Sequence, residues 1–237
     1  MPMRNYFKYI LLAISLLIIG MTLFFGLDDQ RQLNIDEDIY PIAENENILP
    51  SEELPPEAKP ETVNNNLTPP INRIDERVWI NEFGGRPSEA TIDPQYSDLI
   101  CPKGILYEEY HTGVDAETSK DELDTPVSVR SMADGVVRQD GFVSGYGGLI
   151  VIEHTINGNV YTAYYGHVDQ STFKVSAGST VKNGQIIANL APACTDGNGN
   201  TRKHLHLGVH KGKEIVVAGY VLNKSELDNW IDPRSLF

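Results

Sequence analysis

Residues 203–210 of this 237-residue chain read KHLHLGVH, a short run in which histidine and aliphatic side chains alternate. Successive side chains of a β-strand point to opposite faces, so His204, His206 and His210 share one face. Leucine and valine occupy the other face, which predicts that this second face packs on the core. The histidine face then opens onto a surface or cleft, where two imidazoles at i and i+2 can approach one metal ion. Taken alone, the run fits equally well a half-buried strand that carries histidine by chance.

The sequence around this run is rich in short β-strand signals. GGLIVIEH (147–154) and VYTAYYGHV (160–168) combine β-branched, aromatic and leucine residues, and Gly, Asn and Asp mark the turns between such segments. A persuasive 3.6-residue apolar period is missing from the sequence, apart from a short turn near Lys224 to Trp230. The pattern therefore predicts an all-β domain with an antiparallel β-sheet over residues 77–237.

An apolar segment precedes the predicted domain. Residues 9–27 (YILLAISLLIIGMTLFFGL) carry no charge, and as a helix they would span about 28 Å, enough for a bilayer core. Arg4 and Lys8 lie before the segment and acidic residues follow it. This asymmetry predicts a transmembrane signal-anchor helix, a cytoplasmic N-terminus over residues 1–8 and an extracytoplasmic remainder. A cleaved signal peptide is the alternative, although a clear small-x-small cleavage site is missing from the sequence.

Residues 28–76 form an acidic, proline-rich stretch between the apolar segment and the domain. The stretch from Asp28 to Pro70 contains eleven acidic and two basic residues, and it holds seven of the fourteen prolines of the chain. Such a composition buries too little apolar surface to offset its ordering entropy, so a disordered linker is predicted. The whole chain has a formal net charge of −14, which argues against nucleic acid as a partner because phosphate binding needs patches of Lys and Arg.

A second motif, HTGVD (111–115), places His111 and Asp115 four residues apart. Thr-Gly-Val is a poor helix core, whereas in an extended segment positions 111, 113 and 115 share a face. Gly113 between them would leave backbone room for a ligand. Two histidines and one carboxylate, with a fourth position open to water, are the ligand set of a catalytic zinc site rather than a structural one.

From about Phe83 onwards the sequence resembles the lysostaphin/LytM-type zinc metallopeptidases, which cut peptide bonds in bacterial peptidoglycan. The shared motifs follow the order of the family, and they are FGGR (83–86), HTGVD (111–115), TPVSVRSMADGVV (125–137), GYGGLIVIEH (145–154), YYGHV (164–168), VSAGSTVKNGQIIA (175–188) and HLHLGV (204–209). The resemblance implies a peptidase domain of the barrel-sandwich hybrid type. With the N-terminal segment, it implies a single-pass protein of the bacterial cell membrane whose peptidase domain is extracytoplasmic.

Carried over position by position, the resemblance implies His111, Asp115 and His206 as ligands of Zn²⁺. His204 would be the general base or water-orienting group, and His167 would help to activate the water or stabilise the developing oxyanion. The expected activity is that of a membrane-anchored zinc endopeptidase with zinc-activated water as nucleophile and peptidoglycan peptides as substrate. The alternative is a catalytically silent domain that binds peptidoglycan or regulates another cell-wall hydrolase, and the sequence identifies no regulatory protein partner.

The remaining histidines lie outside this predicted site. His154 ends a strand and is expected to be partly buried and hydrogen-bonded. His210 shares the face of His206 but lies four residues further along, about 13 Å in an extended strand and too far for the same ion.

Two segments depart from the family pattern. Arg202 and Lys203 replace the usual small residues before His204, and they would either meet a substrate carboxylate or end a solvated loop. The acidic segment AETSKDELD (116–124) is also unlike the short loop of the family.

Cys101 and Cys194 each lie ten residues before a motif histidine, His111 and His204 respectively. If the two ligand strands are neighbours, as a shared zinc ion demands, the segments before them meet as well. A disulfide is therefore expected outside the membrane, where oxidation is permitted. Free buried thiols are the alternative.

Overall fold

The computed structural model describes residues 67–86, 96, 100–105 and 107–237. The predicted cytoplasmic N-terminus, the apolar segment and the linker up to residue 66 lie outside these described residues. Within them, no helix combines the length and the apolar character that crossing a membrane requires.

The described part of the chain is all-β and antiparallel, as predicted. Its strands are β1 (Tyr110–His111), β2 (Gly113–Glu117), β3 (Ser128–Arg130), β4 (Gly135–Val143), β5 (Gly147–Ile156), β6 (Asn159–Gly166), β7 (Thr180–Val181), β8 (Ile186–Asn189), β9 (His204–Lys211), β10 (Tyr220–Val221) and β11 (Trp230–Ile231). Short 3₁₀ helices cover Ile74–Glu76, Lys120–Glu122, Gln170–Thr172, Asp196–Asn198, Lys224–Asn229 and Pro233–Leu236.

A central sheet runs in the order β11–β9–β6–β5–β4–β7, with β2 also paired to β9, and β1–β10 and β3–β8 form two small sheets. The central sheet ends in the two-residue strands β7 and β11. Such short strands leave little edge for further pairing. The described strands do not form a closed barrel, which corrects the barrel-like part of the predicted architecture.

Strand β9, which contains the alternating histidines, is paired along both edges. One edge pairs with β6, while β2 and β11 share the other edge, β2 beside the first half of β9 and β11 beside the second. Leu205, Leu207 and Val209 point into the larger apolar core, as the alternation predicted. The opposite face of the sheet carries a smaller apolar cluster that packs beside the histidines, and its members are Tyr146, Leu149, Val151, Tyr164 and Trp230.

Gly113 sets how closely β2 approaches β9. A Cβ atom at this position would lie 2.4 Å from the carbonyl oxygen of Leu207, so any larger residue would push the strands apart. The sequence suggested that Gly113 leaves room for a ligand. The structure corrects this interpretation, because the backbone of β9 takes that room.

Residues 67–76, which their composition assigns to the linker, pack onto the domain. Ile71 is fully buried and bridges to Val129, and the amide of Thr68 donates to the carbonyl of Met132 at 3.0 Å. One buried isoleucine among polar residues and prolines is a weak compositional signal. The folded part of the chain therefore extends further towards the N-terminus than the predicted boundary at residue 77.

Glu122 anchors the unusual segment 116–124. Arg77 donates from Nη1 and Nη2 to its two carboxylate oxygens at 2.9 and 3.0 Å, and Nη2 of Arg73 lies 2.9 Å from Oε1. Burial raises the pKa of Glu122, but hydrogen bonds from Arg77, the Ser119 backbone and Arg73 outweigh burial and lower this pKa to about 2.

Replacing Glu122 by Gln should therefore destabilise the domain in a pH-dependent way. Because the pKa of Glu122 is lower in the folded state than in the unfolded state, its stabilisation is present above about pH 5 and is lost as the pH falls towards 2. We expect Glu122→Gln to lower the free energy of unfolding at pH 7 by about 1–3 kcal/mol. Urea unfolding across pH 3–7 measures this, with the exposed Glu214→Gln as control. A deficit that is the same at every pH would contradict this explanation.

Cys101 and Cys194 form the expected disulfide, which joins residues 93 positions apart. Closing a loop of this length restricts the unfolded chain and contributes about 4–5 kcal/mol at most. We expect the double variant Cys101→Ser/Cys194→Ser to unfold at a lower temperature than the wild type. Reductant should destabilise the wild type to the same level and leave the variant unchanged. If reductant does not change wild-type stability, the crosslink contributes nothing.

Candidate metal centre

The register of β2 against β9 assembles most of the site. Asp115 pairs with His206, and Glu117 pairs with His204. Residues that are directly opposite in an antiparallel pair project from the same face. Two carboxylates and two imidazoles that are distant in sequence therefore lie side by side.

His111 reaches the same place from β1. Its amide donates to the carbonyl of Gly85 at 2.9 Å, and its carbonyl accepts from the amide of Gly84 at 2.8 Å. Nδ1 of His111 donates to the carbonyl of Asn81 at 3.0 Å, so Nε2 is left to face the site. The FGGR motif thus holds the backbone of His111, and Asn81 orients its ring.

The three predicted ligands present their donor atoms to one point. Nε2 of His111 lies 3.0 Å from Nδ1 of His206. Oδ1 of Asp115 lies 3.4 Å from the former nitrogen and 3.3 Å from the latter. Donors at tetrahedral positions about 2.0–2.1 Å from a zinc ion would be about 3.3 Å apart. The donor set and its spacing therefore fit such an ion.

The protonation states of His111 and Asp115 also suit the binding of a metal ion. Burial lowers the pKa of His111 to about 4, so its imidazole is neutral near pH 7, which is the form that binds metals. Burial raises the pKa of Asp115, but the nearby His204 and His111 outweigh burial and hold this pKa well below its usual value. Oδ2 of Asp115 accepts from Nη2 of Arg202 at 2.7 Å and from Nδ2 of Asn81 at 2.8 Å.

His204 and His167 lie beside this group with their rings 4.4 Å apart, centroid to centroid. Nδ1 of His204 donates to the carbonyl of Arg202, and Nδ1 of His167 donates to the carbonyl of Asn198, both at 2.9 Å. The Nε2 atom of each ring takes no part in these two hydrogen bonds, and Nε2 of His204 lies 3.5 Å from Oδ2 of Asp115. The backbone of His167 is left-handed, with φ of 61°, a conformation that non-glycine residues adopt at a cost of about 1–3 kcal/mol, often at functional sites.

The two histidines differ in how readily they take a proton. Burial, followed by the neighbouring His204 and His206, holds the pKa of His167 well below its usual value. Burial and Arg202 also disfavour the charged form of His204, but Asp115 and Glu117 raise its pKa overall. Paired groups whose surroundings separate their pKa values are typical of acid–base sites.

A cavity of about 340 Å³ opens onto these side chains. Its floor includes Asp115 and the histidines 167, 204 and 206, whereas exposed apolar residues such as Ile105 and Leu222 lie at its rim. The hydroxyl of Tyr146, which also lines the cavity, is buried and has no hydrogen-bond partner among the described residues. A cavity of this size admits a short peptide segment.

The structure contradicts one of the two interpretations of Arg202 and Lys203. Both are buried, which excludes a solvated loop end. Arg202 donates hydrogen bonds to the carboxylates of Asp115 and Glu117 within the protein. Nζ of Lys203 donates to the carbonyls of residues 122, 123 and 125 at 2.6–3.1 Å. The sequence did not reveal these partners, because they lie about 80 residues earlier in the chain.

The two remaining histidines lie outside the site, as expected. His154 is fully buried, with Nδ1 3.0 Å from the carbonyl oxygen of Asp134 and Nε2 3.1 Å from the Tyr165 hydroxyl. His210 packs edge-on against Trp230, with ring centroids 4.9 Å apart. Asn81 is a residue that sequence reasoning missed, because it contacts two of the three predicted ligands from a segment without a motif.

Residues 109–218 match the sequence model of peptidase family M23, a family of metallopeptidases, and this match confirms the family that the motifs indicated. A search of curated proteins found no match.

Among solved structures, CbpA from L. salivarius REN is 19% identical, with a TM-score of 0.45 over 73% of this chain and 94% of its own. The catalytic domain of EnpA, a prophage-encoded M23 protein from Enterococcus faecalis crystallised as a mutant, is 22% identical, with a TM-score of 0.40 over 62% of this chain and 88% of its own. LytU is 22% identical, with a TM-score of 0.41 over 68% of this chain and 91% of its own.

Removal and return of a metal should change the stability of this protein. Since an ion that binds only the folded state stabilises it by mass action, we expect Zn²⁺ to raise the melting temperature of chelator-treated protein. The rise should vanish in His111→Ala and in His206→Ala and persist in His210→Ala, whose side chain lies outside the site. Thermal unfolding with and without Zn²⁺ measures this. A rise of equal size in His206→Ala would place the ion elsewhere.

Proposed function

We propose that this chain is a zinc-dependent endopeptidase that hydrolyses peptide bonds in bacterial peptidoglycan. The observation that carries the proposal is the convergence of His111, Asp115 and His206, whose donor atoms lie 3.0–3.4 Å apart. Asp115 and His206 also line an open cavity. Two further histidines, His167 and His204, line the same cavity, and each has its Nδ1 atom bonded to a backbone carbonyl. The match to peptidase family M23 supports the reaction class, and the resemblance to the lysostaphin/LytM type supports the substrate.

When bound, a zinc ion supplies Lewis-acid polarisation of the scissile carbonyl and of a water molecule. His204 takes the proton of the attacking water at Nε2, because its Nδ1 is committed to the Arg202 carbonyl. The carboxylates of Asp115 and Glu117 stabilise the imidazolium that results. His204 then returns this proton to the leaving amine.

His167 stays neutral during this transfer, since its surroundings disfavour the charged form. With Nδ1–H donated to the Asn198 carbonyl, its Nε2 is a hydrogen-bond acceptor that orients the attacking water. The exposed apolar residues at the rim, Ile105 and Leu222, cover the peptide on either side of the bond that is cut.

The proposed location is the outer side of the bacterial cell membrane, with residues 9–27 as anchor and the acidic linker as a tether. The apolar segment and its charged flanks support this location. The Cys101–Cys194 disulfide supports it independently, because disulfides persist mainly in oxidising compartments.

Digestion of purified peptidoglycan by the full chain in detergent tests the proposal. We expect wild-type protein with Zn²⁺ to release soluble muropeptides, chelation to stop the release, and added Zn²⁺ to restore it. His204→Ala should retain zinc but lose about 10²–10⁴-fold in kcat, the range typical of general acid–base catalysis. His206→Ala should lose both zinc and activity, and His210→Gln should keep both.

The silent alternative gives a different result in the same experiment. A wild-type chain that binds zinc and sediments with peptidoglycan, yet releases nothing, would be a binding or regulatory domain instead of a hydrolase.

A further inference from the structure

We propose that Arg202 and Glu117 form a buried positioning pair, which holds Asp115 in the orientation that offers a single oxygen to the metal site. This inference rests on the proposed metal site and adds two residues to it. Both residues belong to the segments in which the sequence departs from the family pattern.

The contacts of the pair are direct and shielded from water. Nη2 of Arg202 donates to Oδ2 of Asp115, and Nε donates to Oε1 of Glu117, both at 2.7 Å. The three side chains are only 2–4% exposed. The guanidinium therefore bridges two carboxylates that project from the same face of β2, two residues apart.

The geometry of Asp115 shows what the bridge does. Oδ2 of Asp115 accepts from Arg202 and Asn81 and lies 3.5 Å from Nε2 of His204. Oδ1 faces Nε2 of His111 and Nδ1 of His206. A carboxylate group is planar, so fixing Oδ2 also fixes the direction of Oδ1. Without Arg202, Oδ2 could swing towards the ion, and ligation would change from one oxygen to two.

Glu117 has a role of its own in this arrangement. The guanidinium of Arg202 is planar with a fixed fork of donors, so a second carboxylate on Nε fixes the direction in which Nη2 points. Together with Asp115, Glu117 also surrounds the buried cation of Arg202 with carboxyl groups. A buried ion pair is a poor source of stability in itself, since apolar residues of similar size often serve as well or better. We therefore assign the pair a role in positioning Asp115 rather than in stabilising the fold.

Four variants of the full chain separate positioning from folding. Arg202→Met leaves the buried carboxylates of Glu117 and Asp115 without their shared cation, and Glu117→Gln leaves Arg202 with Asp115 alone. The double variant Arg202→Met/Glu117→Gln removes the charges of both members of the pair. Arg202→Lys keeps the positive charge but lacks the planar guanidinium group with its fixed arrangement of donors. The surface pair Arg138 and Glu153 supplies the matched control, Arg138→Met/Glu153→Gln.

Three measurements apply to each variant. Thermal unfolding of the chelated protein reports folding, and competition with a chromophoric chelator reports zinc affinity. The visible absorption of the Co²⁺-loaded protein reports coordination number, because the bands weaken as ligands are added.

We expect both single variants to melt below the wild type when metal-free. The double variant should melt above Arg202→Met, because it has one buried unpaired carboxylate fewer, but below the wild type, because Asp115 still lacks Arg202. The double variant should nevertheless bind zinc about 10–100-fold more weakly, as is typical when partners of metal ligands are removed, and its Co²⁺ bands should weaken. Arg202→Lys should resemble Arg202→Met in both metal measurements, and the surface control should resemble wild type in all three.

A double variant with wild-type zinc affinity and an unchanged Co²⁺ spectrum would overturn the inference and leave the pair a purely structural role. Failure of the proposed function itself would look different. In that case the wild type would bind no metal, or would bind it and not cut peptidoglycan.

Discussion

The pairing of β2 with β9 is the constraint on which the site depends. In this register Asp115 lies opposite His206, and Glu117 lies opposite His204. A slip by one residue would turn the carboxylates of β2 into the apolar core, because side chains alternate between faces. Gly113 allows the two backbones to come this close. The chemistry of the site is therefore determined by strand register before any metal arrives.

Much of the fold and the central part of the site follow from the sequence. The alternation in KHLHLGVH predicts a strand with one apolar and one histidine face, and the structure has this arrangement. The HTGVD motif supplies two of the three converging side chains, although the chain bends at Thr112 and places His111 and Asp115 in different sheets. These predictions succeed because they concern residues within one or two strands, where geometry follows directly from sequence distance.

The contacts that support the site could not be predicted, because they join residues that are far apart in the sequence. Asn81 lies in a segment without a motif, and Arg202 finds its partners on a strand about 80 residues earlier in the chain. A lone charge in a sequence is read as exposed, since burial is visible only once its partner is known. The two departures from the family pattern turn out to be partners, because Arg202 and Lys203 bind residues of the 116–124 segment. That segment is part of the support of the site.

The Cys101–Cys194 crosslink joins two pieces of the cavity wall. Cys101 lies in the segment 100–105, which ends with Ile105 at the cavity rim. Cys194 lies just before the Asp196–Asn198 turn, and the carbonyl of Asn198 accepts a hydrogen bond from His167. A newly made chain with both thiols still reduced can form its strands but lacks this tie between rim and floor. Completion of the cleft wall is thereby coupled to the oxidation of these two thiols.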